Sequence, residues 1–220
     1  MIIVKVIKKN HFTILLLCYL TFFQKTVLTS GCMQEALKQL DRELFILING
    51  FNSEAFDNIM VVISGKFSWI PFYAFLLYLM IRVVGKNIIF IIPAVVLLIT
   101  LSDQGSVILF KNYFQRLRPC HEESLNPFIH LVNGSCGGQF GFISSHASNT
   151  MAISVFVFLF LKNNFGSKML LIFLFPFIVG YSRIYLGIHY PGDVVCGMIF
   201  GATLGYFVAV LTQKFLAQKI

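Results

Sequence analysis

The sequence predicts an all-α fold, a membrane helix bundle with about six transmembrane helices and one surface amphipathic helix. Three observations support this prediction. Hydrophobic residues make up 57% of the 220 residues and charged residues only 12%, about half the charged share of an ordinary soluble domain. The apolar residues are gathered in long runs. Most of these runs are close to the roughly 20 residues that a helix needs to cross a bilayer.

Six apolar segments are the predicted spans. They cover residues 11–30, 67–84, 88–110, 146–161, 168–187 and 194–215. Between the first two spans, the stretch 33–66 mixes charged residues with leucines at helical spacing, namely Leu37, Leu40, Leu44 and Leu47. We expect this stretch to begin as a helix that lies at the membrane surface.

Basic residues set the predicted orientation. If both termini and the connections 82–87 and 162–168 face the cytoplasm, that side holds nine of the 17 Lys and Arg residues. These nine are Lys5, Lys8, Lys9, Arg82, Lys86, Lys162, Lys168, Lys214 and Lys219. Cytoplasmic loops of membrane proteins are enriched in such residues. The net charge of +8 is therefore assigned to membrane topology, and no nucleic-acid partner is expected.

The first span has two interpretations, and both stay open. Lys8 and Lys9 precede a short apolar run, and Leu-Thr-Ser-Gly-Cys at 28–32 is similar to a signal-peptide or lipoprotein cleavage site. A retained helix would place the stretch 33–66 outside the cytoplasm. The predicted organisation is an N-terminal transmembrane or signal-like segment, 1–32, followed by one membrane-embedded domain, 33–220.

Cys120 and Cys136 share one predicted outer loop. A disulfide between them would close a loop of about 17 residues and contribute about 3 kcal/mol in an oxidising compartment. Two unpaired thiols are the alternative. No Cys/His spacing in the sequence matches a zinc site, and no cluster of acids is typical of a magnesium site. We therefore expect no metal and no cofactor.

Ionisable residues are concentrated in three stretches at span ends that share the predicted outer face. The stretches are KNYFQRLRP at 111–119, GFISSHASN at 141–149 and SRIYLGIHYPGD at 182–193. A charge in the bilayer centre is costly, so these groups are expected at the interface or facing one another. Cations and histidines with few acids repel each other unless an anion neutralises them. The implied ligand is a multiply charged anion, most simply a phosphate.

Helix ends favour the same ligand. Ser144 or Ser145 is a suitable N-cap for the span 146–161, and Pro191 fits the first position of the last helix with Asp193 in its first turn. The N-termini of both helices would then direct free N–H groups and a positive dipole end toward the outer face. Singly, each cation in the three stretches could be an interface anchor. Their shared face favours a binding site.

The fixed residues of the three stretches resemble the signature of the type-2 phosphatidic acid phosphatase and haloperoxidase superfamily. They are Lys111, Arg118 and Pro119, then Ser144 and His146, then Ser182, Arg183, His189 and Asp193. The resemblance covers roughly 45–215 and extends to the six-span layout of bacterial lipid phosphatases, including those that act on undecaprenyl pyrophosphate. The middle stretch departs from the usual Pro-Ser-Gly-His, because Ser145 replaces the glycine. Ser145 can still offer its backbone N–H if its conformation tolerates a side chain.

The resemblance implies a role for each site residue. His189 would be the nucleophile that forms a phosphohistidine, and Asp193 would hold the other imidazole N–H. His146 would protonate the leaving oxygen and then activate water. The implied phosphate-binding residues are Lys111, Arg118, Ser144, Ser145 and Arg183, and with such cationic groups no metal is needed.

The implied function is metal-independent hydrolysis of a phosphate mono- or diphosphate ester of a membrane lipid. The site would face the outside of a bacterial cytoplasmic (inner) membrane, with the bilayer and a phosphorylated lipid as partners. Undecaprenyl pyrophosphate is the first choice because the chain is small and has no specificity domain. The alternatives are lipid A, phosphatidylglycerol phosphate and phosphatidic acid. A lipid-to-lipid phosphotransferase and a transporter that only binds an anionic lipid are two further classes that stay open, and the sequence does not indicate the oligomeric state.

Overall fold

A computed structural model describes residues 31–134 and 136–218 of the chain. Over these residues the fold is helical and has no strand, so the predicted all-α class is confirmed. An isolated antiparallel bridge joins Leu117 to Phe140 in the long loop between the helices. The predicted first span, 11–30, lies outside the described residues.

Seven longer helices make up the described fold. They are α1 (Gly31–Gly50), α2 (Glu54–Ser64), α3 (Ile70–Val84), α4 (Ile88–Gly105), α5 (Ser145–Phe165), α6 (Leu174–Tyr185) and α7 (Pro191–Ala217). Helix α4 continues as a π-helical segment, Ser106–Lys111, and a last turn, Asn112–Phe114. Short 3-10 segments, Gly85–Asn87 and Gly166–Phe173, connect α3 to α4 and α5 to α6.

Three helical stretches of the described chain are long and apolar enough to cross a membrane, namely Ile70–Phe114, Ser145–Tyr185 and Pro191–Ala217. The first has 45 residues, and a straight helix of that length would measure about 68 Å, more than twice the hydrocarbon core of a bilayer. Two glycines interrupt the first two stretches, Gly85 with φ +57° and Gly166 with φ +59°. These interruptions fall close to the predicted ends of spans. Three stretches do not confirm a count of six, which stays a prediction.

Glycines on α7 determine how it packs against α5. Gly197, Gly201 and Gly205 recur every four residues and so lie on one face of α7. A Cβ atom added at Gly201 would overlap the carbonyl oxygen of Ser148 on α5, and the other two glycines also face the α5 backbone closely. Small residues at this spacing let membrane helices approach at backbone distance. The close approach brings the first turns of α5 and α7 together.

The apolar core lies between α3, α4, α5 and α7. Its fully buried members include Leu98, Ala152, Phe156, Leu161 and Ala209. Many other large apolar residues of the helices are exposed, as expected where a helix faces lipid. The core therefore fixes the helix arrangement from one side while the opposite faces are left to the bilayer.

The helices that precede the spans expose apolar side chains as well. All four leucines of the predicted surface stretch, Leu37, Leu40, Leu44 and Leu47, are exposed on α1. The described residues divide into two compact units at Glu43 and Leu44, within this helix. The sequence places its domain boundary earlier, between residues 32 and 33, at the edge of the described chain.

Candidate active site

One cavity of about 960 Å³ contains most of the predicted site residues in its wall. Its polar end is lined by Lys111, Arg118, Ser145, His146, Arg183 and His189. These residues come from the end of α4, the following loop, the start of α5, the end of α6 and the loop before α7. The three sequence stretches are thus brought together, as their shared face predicted. Ser144 and Asp193 do not line the cavity.

Lys111 is the last residue of the π-helical segment that follows α4. A π-helical turn holds more residues than an α-helical one and therefore changes the direction of the side chains after it; such turns are frequent at functional sites. The ammonium of Lys111 donates a hydrogen bond to Oγ of Ser145 over 2.7 Å. This contact joins the first and second sequence stretches directly.

A chain of hydroxyl groups continues from Ser145 into α4. Oγ of Ser145 lies 2.6 Å from Oγ of Ser106, and Ser106 donates to the carbonyl oxygen of Asp103 over 2.7 Å. Because a hydroxyl has one hydrogen, Ser106 must accept from Ser145. Ser145 in turn accepts from Lys111. The direction of every hydrogen bond in this chain is therefore determined, and Ser106 emerges as a site residue that the motifs did not indicate.

Arg118 is held by the chain that returns from the long outer loop. Its Nη1 donates to the carbonyl oxygen of Cys136 over 2.7 Å, and its Nε donates to the carbonyl oxygen of Phe140 over 3.3 Å. A disulfide joins Cys136 to Cys120, two residues beyond Arg118. These bonds fix the guanidinium at the edge of the cavity.

Arg183 lies on the last turn of α6 and is buried. Its Nη1 donates to Oγ of Ser64, which is also buried, at the end of α2. Its Nε is buried too, but has no hydrogen-bond partner within the described part of the chain. Buried donors of folded proteins are nearly always satisfied by protein, water or a ligand. The unpaired donor in the cavity wall therefore suits an anionic ligand.

His189 and Asp193 form a buried pair. Nδ1 of His189 lies 3.4 Å from Oδ2 of Asp193, and the side chains of both are almost fully inaccessible. The start of α7 explains the placement, because Tyr190 is the N-cap, Pro191 follows it, and Oδ2 of Asp193 accepts the backbone N–H of Tyr190 over 3.0 Å. This is the reciprocal bond of a capping box. The four-residue spacing thus puts the carboxylate behind the imidazole.

A third side chain, that of Arg116, contacts this pair. It was not predicted as a site residue. Its Nη1 donates to Oδ1 of Asp193 over 3.0 Å, and its guanidinium lies over the ring of Tyr190 at 4.0 Å. The carboxylate therefore meets His189 with one oxygen and Arg116 with the other. Burial lowers the pKa of His189 well below its ordinary value, and the cations Arg183 and Arg118 lower it further. The imidazole is accordingly neutral at pH 7.

The second predicted histidine and its neighbour take different positions. His146 is half-buried in the first turn of α5 and lines the cavity. Ser144 is fully buried and is the N-cap of α5, where its side chain accepts the backbone N–H of Ala147 over 3.5 Å. The cap predicted at Ser144 or Ser145 is thus Ser144. Its hydroxyl is turned to the helix, whereas Ser145 carries the hydroxyl on the cavity wall.

An apolar arm of the cavity runs along α4. The wall includes α4 residues from Ile88 near the start of the helix to Lys111 beyond its end, a distance of about 35 Å along the axis. Other apolar residues of the arm are Tyr73, Leu76 and Met80 on α3 and Ile153, Phe156 and Val157 on α5. A cationic end and a long apolar arm fit an amphiphile.

Among the described residues, Cys120, His121 and Cys136 are close enough together to hold a metal ion. The two sulfur atoms are bonded to each other, so neither is available as a thiolate ligand. In the cavity wall the cations Lys111, Arg118 and Arg183 outnumber the one carboxylate among its described residues, Asp103, and this balance of charge is unfavourable for a metal cation.

Comparison with known proteins gives one family and several relatives. The sequence model of the PAP2 superfamily matches residues 89–217. The lipid A 4'-phosphatase of Bacteroides thetaiotaomicron is 36% identical to this chain over 182 residues, which are 80% of either protein. The lipid A 4'-phosphatase of Porphyromonas gingivalis is 34% identical over 175 residues, 79% of this chain and 73% of that protein.

One solved structure extends the likeness to nearly the whole fold. The transmembrane PAP2-type phosphatidylglycerolphosphate phosphatase of Bacillus subtilis superposes with a TM-score of 0.64 over 91% of this chain and 96% of that one. Its sequence identity is 19%, so the likeness concerns the fold alone.

Proposed function

Because the chain belongs to the PAP2 superfamily and is a membrane lipid phosphatase, we propose that it hydrolyses a phosphate monoester of lipid A. The single observation that carries the proposal is the cationic end of the cavity. Lys111, Arg118 and Arg183 converge there, and a buried N–H of Arg183 has no partner within the described residues. A phosphate dianion would neutralise these cations and accept their hydrogen bonds.

In the proposed reaction, His189 attacks phosphorus with Nε2, and the bond from phosphorus to the lipid oxygen breaks. His146 protonates that leaving oxygen, which makes the lipid an alcohol. Asp193 accepts the Nδ1 hydrogen of His189 and stabilises the imidazole as it becomes cationic. Water, deprotonated by His146, then attacks the phosphohistidine and releases inorganic phosphate.

The remaining site groups would stabilise the transition state. Phosphoryl transfer spreads negative charge over three equatorial oxygens, and fixed cations around them lower the barrier. Arg118 and Arg183 suit this task because a guanidinium can donate two parallel hydrogen bonds. Lys111 adds a point charge, and Ser145 replaces the family's usual glycine with a hydroxyl oriented by two neighbours. The hydroxyl of Ser144, which the sequence also suggests as a ligand, would act through the cap of α5.

The choice of lipid A is supported by the names of two relatives that match most of this chain. Undecaprenyl pyrophosphate, the first choice from sequence, remains the competing substrate, followed by phosphatidylglycerol phosphate and phosphatidic acid. The apolar arm accommodates a hydrocarbon chain of any of these lipids. The distribution of lysines and arginines supports a site at the outer face of a bacterial cytoplasmic membrane.

Phosphate release from the four lipids tests the proposal. The purified chain in detergent with a chelator should act on lipid A with the highest kcat/KM, and mass spectrometry should locate the loss at the 4' position. His189→Ala and His146→Ala should lower kcat by about a thousandfold or more, whereas Cys196→Ser should not, because Cys196 does not line the cavity. Unchanged activity in both histidine variants would overturn the mechanism, and a preference for undecaprenyl pyrophosphate would overturn the substrate.

The same experiment distinguishes hydrolysis from transfer and transport. In water enriched in heavy oxygen, hydrolysis puts one labelled oxygen into the released phosphate. A phosphotransferase supplied with a second lipid would release little phosphate and would phosphorylate the acceptor without incorporating labelled oxygen. A transporter would bind lipid A equally well as His189→Ala, and its wild type would release no phosphate.

A further inference from the structure

We propose that the Cys120–Cys136 disulfide is a positioning device for Arg118, so that full activity requires an oxidising compartment. Cys120 and Cys136 are positioning residues in this proposal because neither lines the cavity. The inference rests on the proposed function, which makes Arg118 a ligand of the phosphate group.

The disulfide completes a small ring of covalent bonds and one hydrogen bond that includes Arg118. Cys120 follows Arg118 by two residues, the disulfide leads from Cys120 to Cys136, and the carbonyl oxygen of Cys136 accepts Nη1 of Arg118 over 2.7 Å. The backbone and the side chain of the arginine are thus tied to the same covalent link. Any movement of Cys136 away from Cys120 would remove this acceptor from the guanidinium.

The returning chain beyond Cys136 packs closely on the same side chain. Gly137 has φ +77°, and a Cβ atom there would lie 3.0 Å from Nη1 of Arg118. The backbone N–H of Arg118 donates to the carbonyl oxygen of Gln139 over 3.1 Å, and that of Gly141 donates to the carbonyl oxygen of Arg116 over 2.8 Å. A two-stranded contact this short is marginal without further support. The disulfide supplies that support at the end of the contact next to Cys136.

The middle of the loop is fixed independently of the disulfide. Leu125 is fully buried. The side chain of Asn49 on α1 accepts the backbone N–H of His130 over 2.7 Å and donates to its carbonyl oxygen over 2.9 Å. Reduction should therefore leave the loop and the helices folded and release mainly the segment 136–140. That segment carries the acceptors of Arg118.

A released guanidinium would bind phosphate less well, because its rotamers must be ordered again when the ligand arrives. We expect reduction to lower kcat/KM about tenfold, mainly through a higher KM, since the returning chain contacts His189 and Asp193 through Gly141, whose N–H stays bonded to the carbonyl oxygen of Arg116. The chemistry of the switch is ordinary thiol–disulfide exchange. An added dithiol loses two electrons and two protons and becomes a cyclic disulfide, while Cys120 and Cys136 become two thiols.

The experiment uses the full chain in detergent with a chelator, so that freed thiols do not capture metal. Four proteins are assayed on lipid A with and without dithiothreitol: wild type, the double variant Cys120→Ser/Cys136→Ser, Arg118→Ala, and Cys196→Ser as the matched control that keeps the disulfide. Thermal unfolding and inhibition by inorganic phosphate are measured in parallel. Reducing the folded wild type avoids any dependence on whether the double variant folds.

The inference predicts non-additive effects. Reduction should raise KM and weaken phosphate inhibition in the wild type and in Cys196→Ser, and should change Arg118→Ala no further. If reduction leaves the wild type unaffected while Arg118→Ala is impaired, the inference fails and the proposed site stands. Equal losses on reduction in the wild type and in Arg118→Ala would also overturn it, because the disulfide would then act on general stability. Full activity of Arg118→Ala would overturn the proposed site itself.

Discussion

Asp193 shares its two carboxylate oxygens between Arg116, at 3.0 Å, and His189, at 3.4 Å. The carboxylate is fully inaccessible to solvent, and an isolated charge at such a position is costly. Arg116 therefore favours the ionised carboxylate, which is the form that orients an imidazole through its Nδ1 hydrogen. The guanidinium over the ring of Tyr190 adds a second attachment close to the same turn.

We predict that Arg116→Ala lowers kcat of phosphate release about 10- to 100-fold, the range typical of groups that orient a site residue. Arg116→Lys should recover part of the loss, because the charge returns without the planar contact on Tyr190. Steady-state kinetics with lipid A measures both. Arg82→Ala is the matched control, since Arg82 contacts Tyr78 at the far end of α3. A wild-type kcat in Arg116→Ala would show that Asp193 needs no partner.

Residue spacing was enough to predict the residues that converge on the cavity. Lys111, Arg118, His146, Arg183 and His189 line one cavity, because each stands at a helix end or in the adjoining loop. The signal was specific because polar groups are rare in such an apolar chain. The same reasoning gave the N-cap of α5 and the first turn of α7.

The partners of these residues were not predictable from spacing. Ser64 meets Arg183 across 119 positions of sequence, and Ser106 meets Ser145 across 39. These contacts depend on how the helices pack, which a single sequence does not encode as a local pattern. Arg116 is different, because it precedes Arg118 by two residues and yet contacts a different partner. The two arginines flank the bridge residue Leu117, and Arg116 bonds Asp193 whereas Arg118 bonds the carbonyl oxygen of Cys136.

Ser106 offers a second prediction. Its hydroxyl accepts from Ser145 and donates to the carbonyl of Asp103, so Ser106→Ala would free the hydrogen of Ser145 and loosen the acceptor of Lys111. We expect a 3- to 10-fold rise in KM with little change in kcat, since one neutral hydrogen bond contributes about 1 kcal/mol. Thr203→Ala is the control, because Thr203 bonds only within α7. A fall in kcat with unchanged KM would contradict this arrangement.

The burial of a neutral His189 leads to a prediction about how stability depends on pH. Its pKa is lowered by burial and by the cations Arg183 and Arg118, so between that pKa and the ordinary value of about 6.5 only the unfolded chain binds the proton. The contribution of His189 to stability is therefore lost as pH drops below about 6.5. His189→Gln should flatten this dependence, as thermal unfolding between about pH 5 and pH 7.5 would show.

Activity should not fall together with stability over the same pH range. The proposed nucleophile, His189, stays unprotonated below its ordinary pKa, so its own protonation should not lower kcat/KM as the pH falls through about 6.5. A fall in kcat/KM centred near about pH 6.5, with intact unfolding temperature, would mean that His189 titrates normally in the free enzyme.

Packing between α5 and α7 makes the last prediction. A methyl group at Gly201 would overlap the carbonyl oxygen of Ser148, and backbone cannot move aside as a flexible side chain can. Gly201→Ala should therefore separate the two helices and cost about 1–3 kcal/mol of unfolding free energy. Gly50→Ala is the matched control, because a Cβ atom there meets no other atom within 4 Å.

The same variant should also lower kcat, since His146 is carried by the first turn of α5 and Asp193 by that of α7. A wider gap between these helices would move His146, the proposed acid and base, away from the proposed nucleophile His189. Small displacements of reacting groups slow catalysis strongly. Unfolding temperature and kcat should fall together in Gly201→Ala. A lower unfolding temperature with wild-type kcat would show that the glycine contact supports the fold without setting the site.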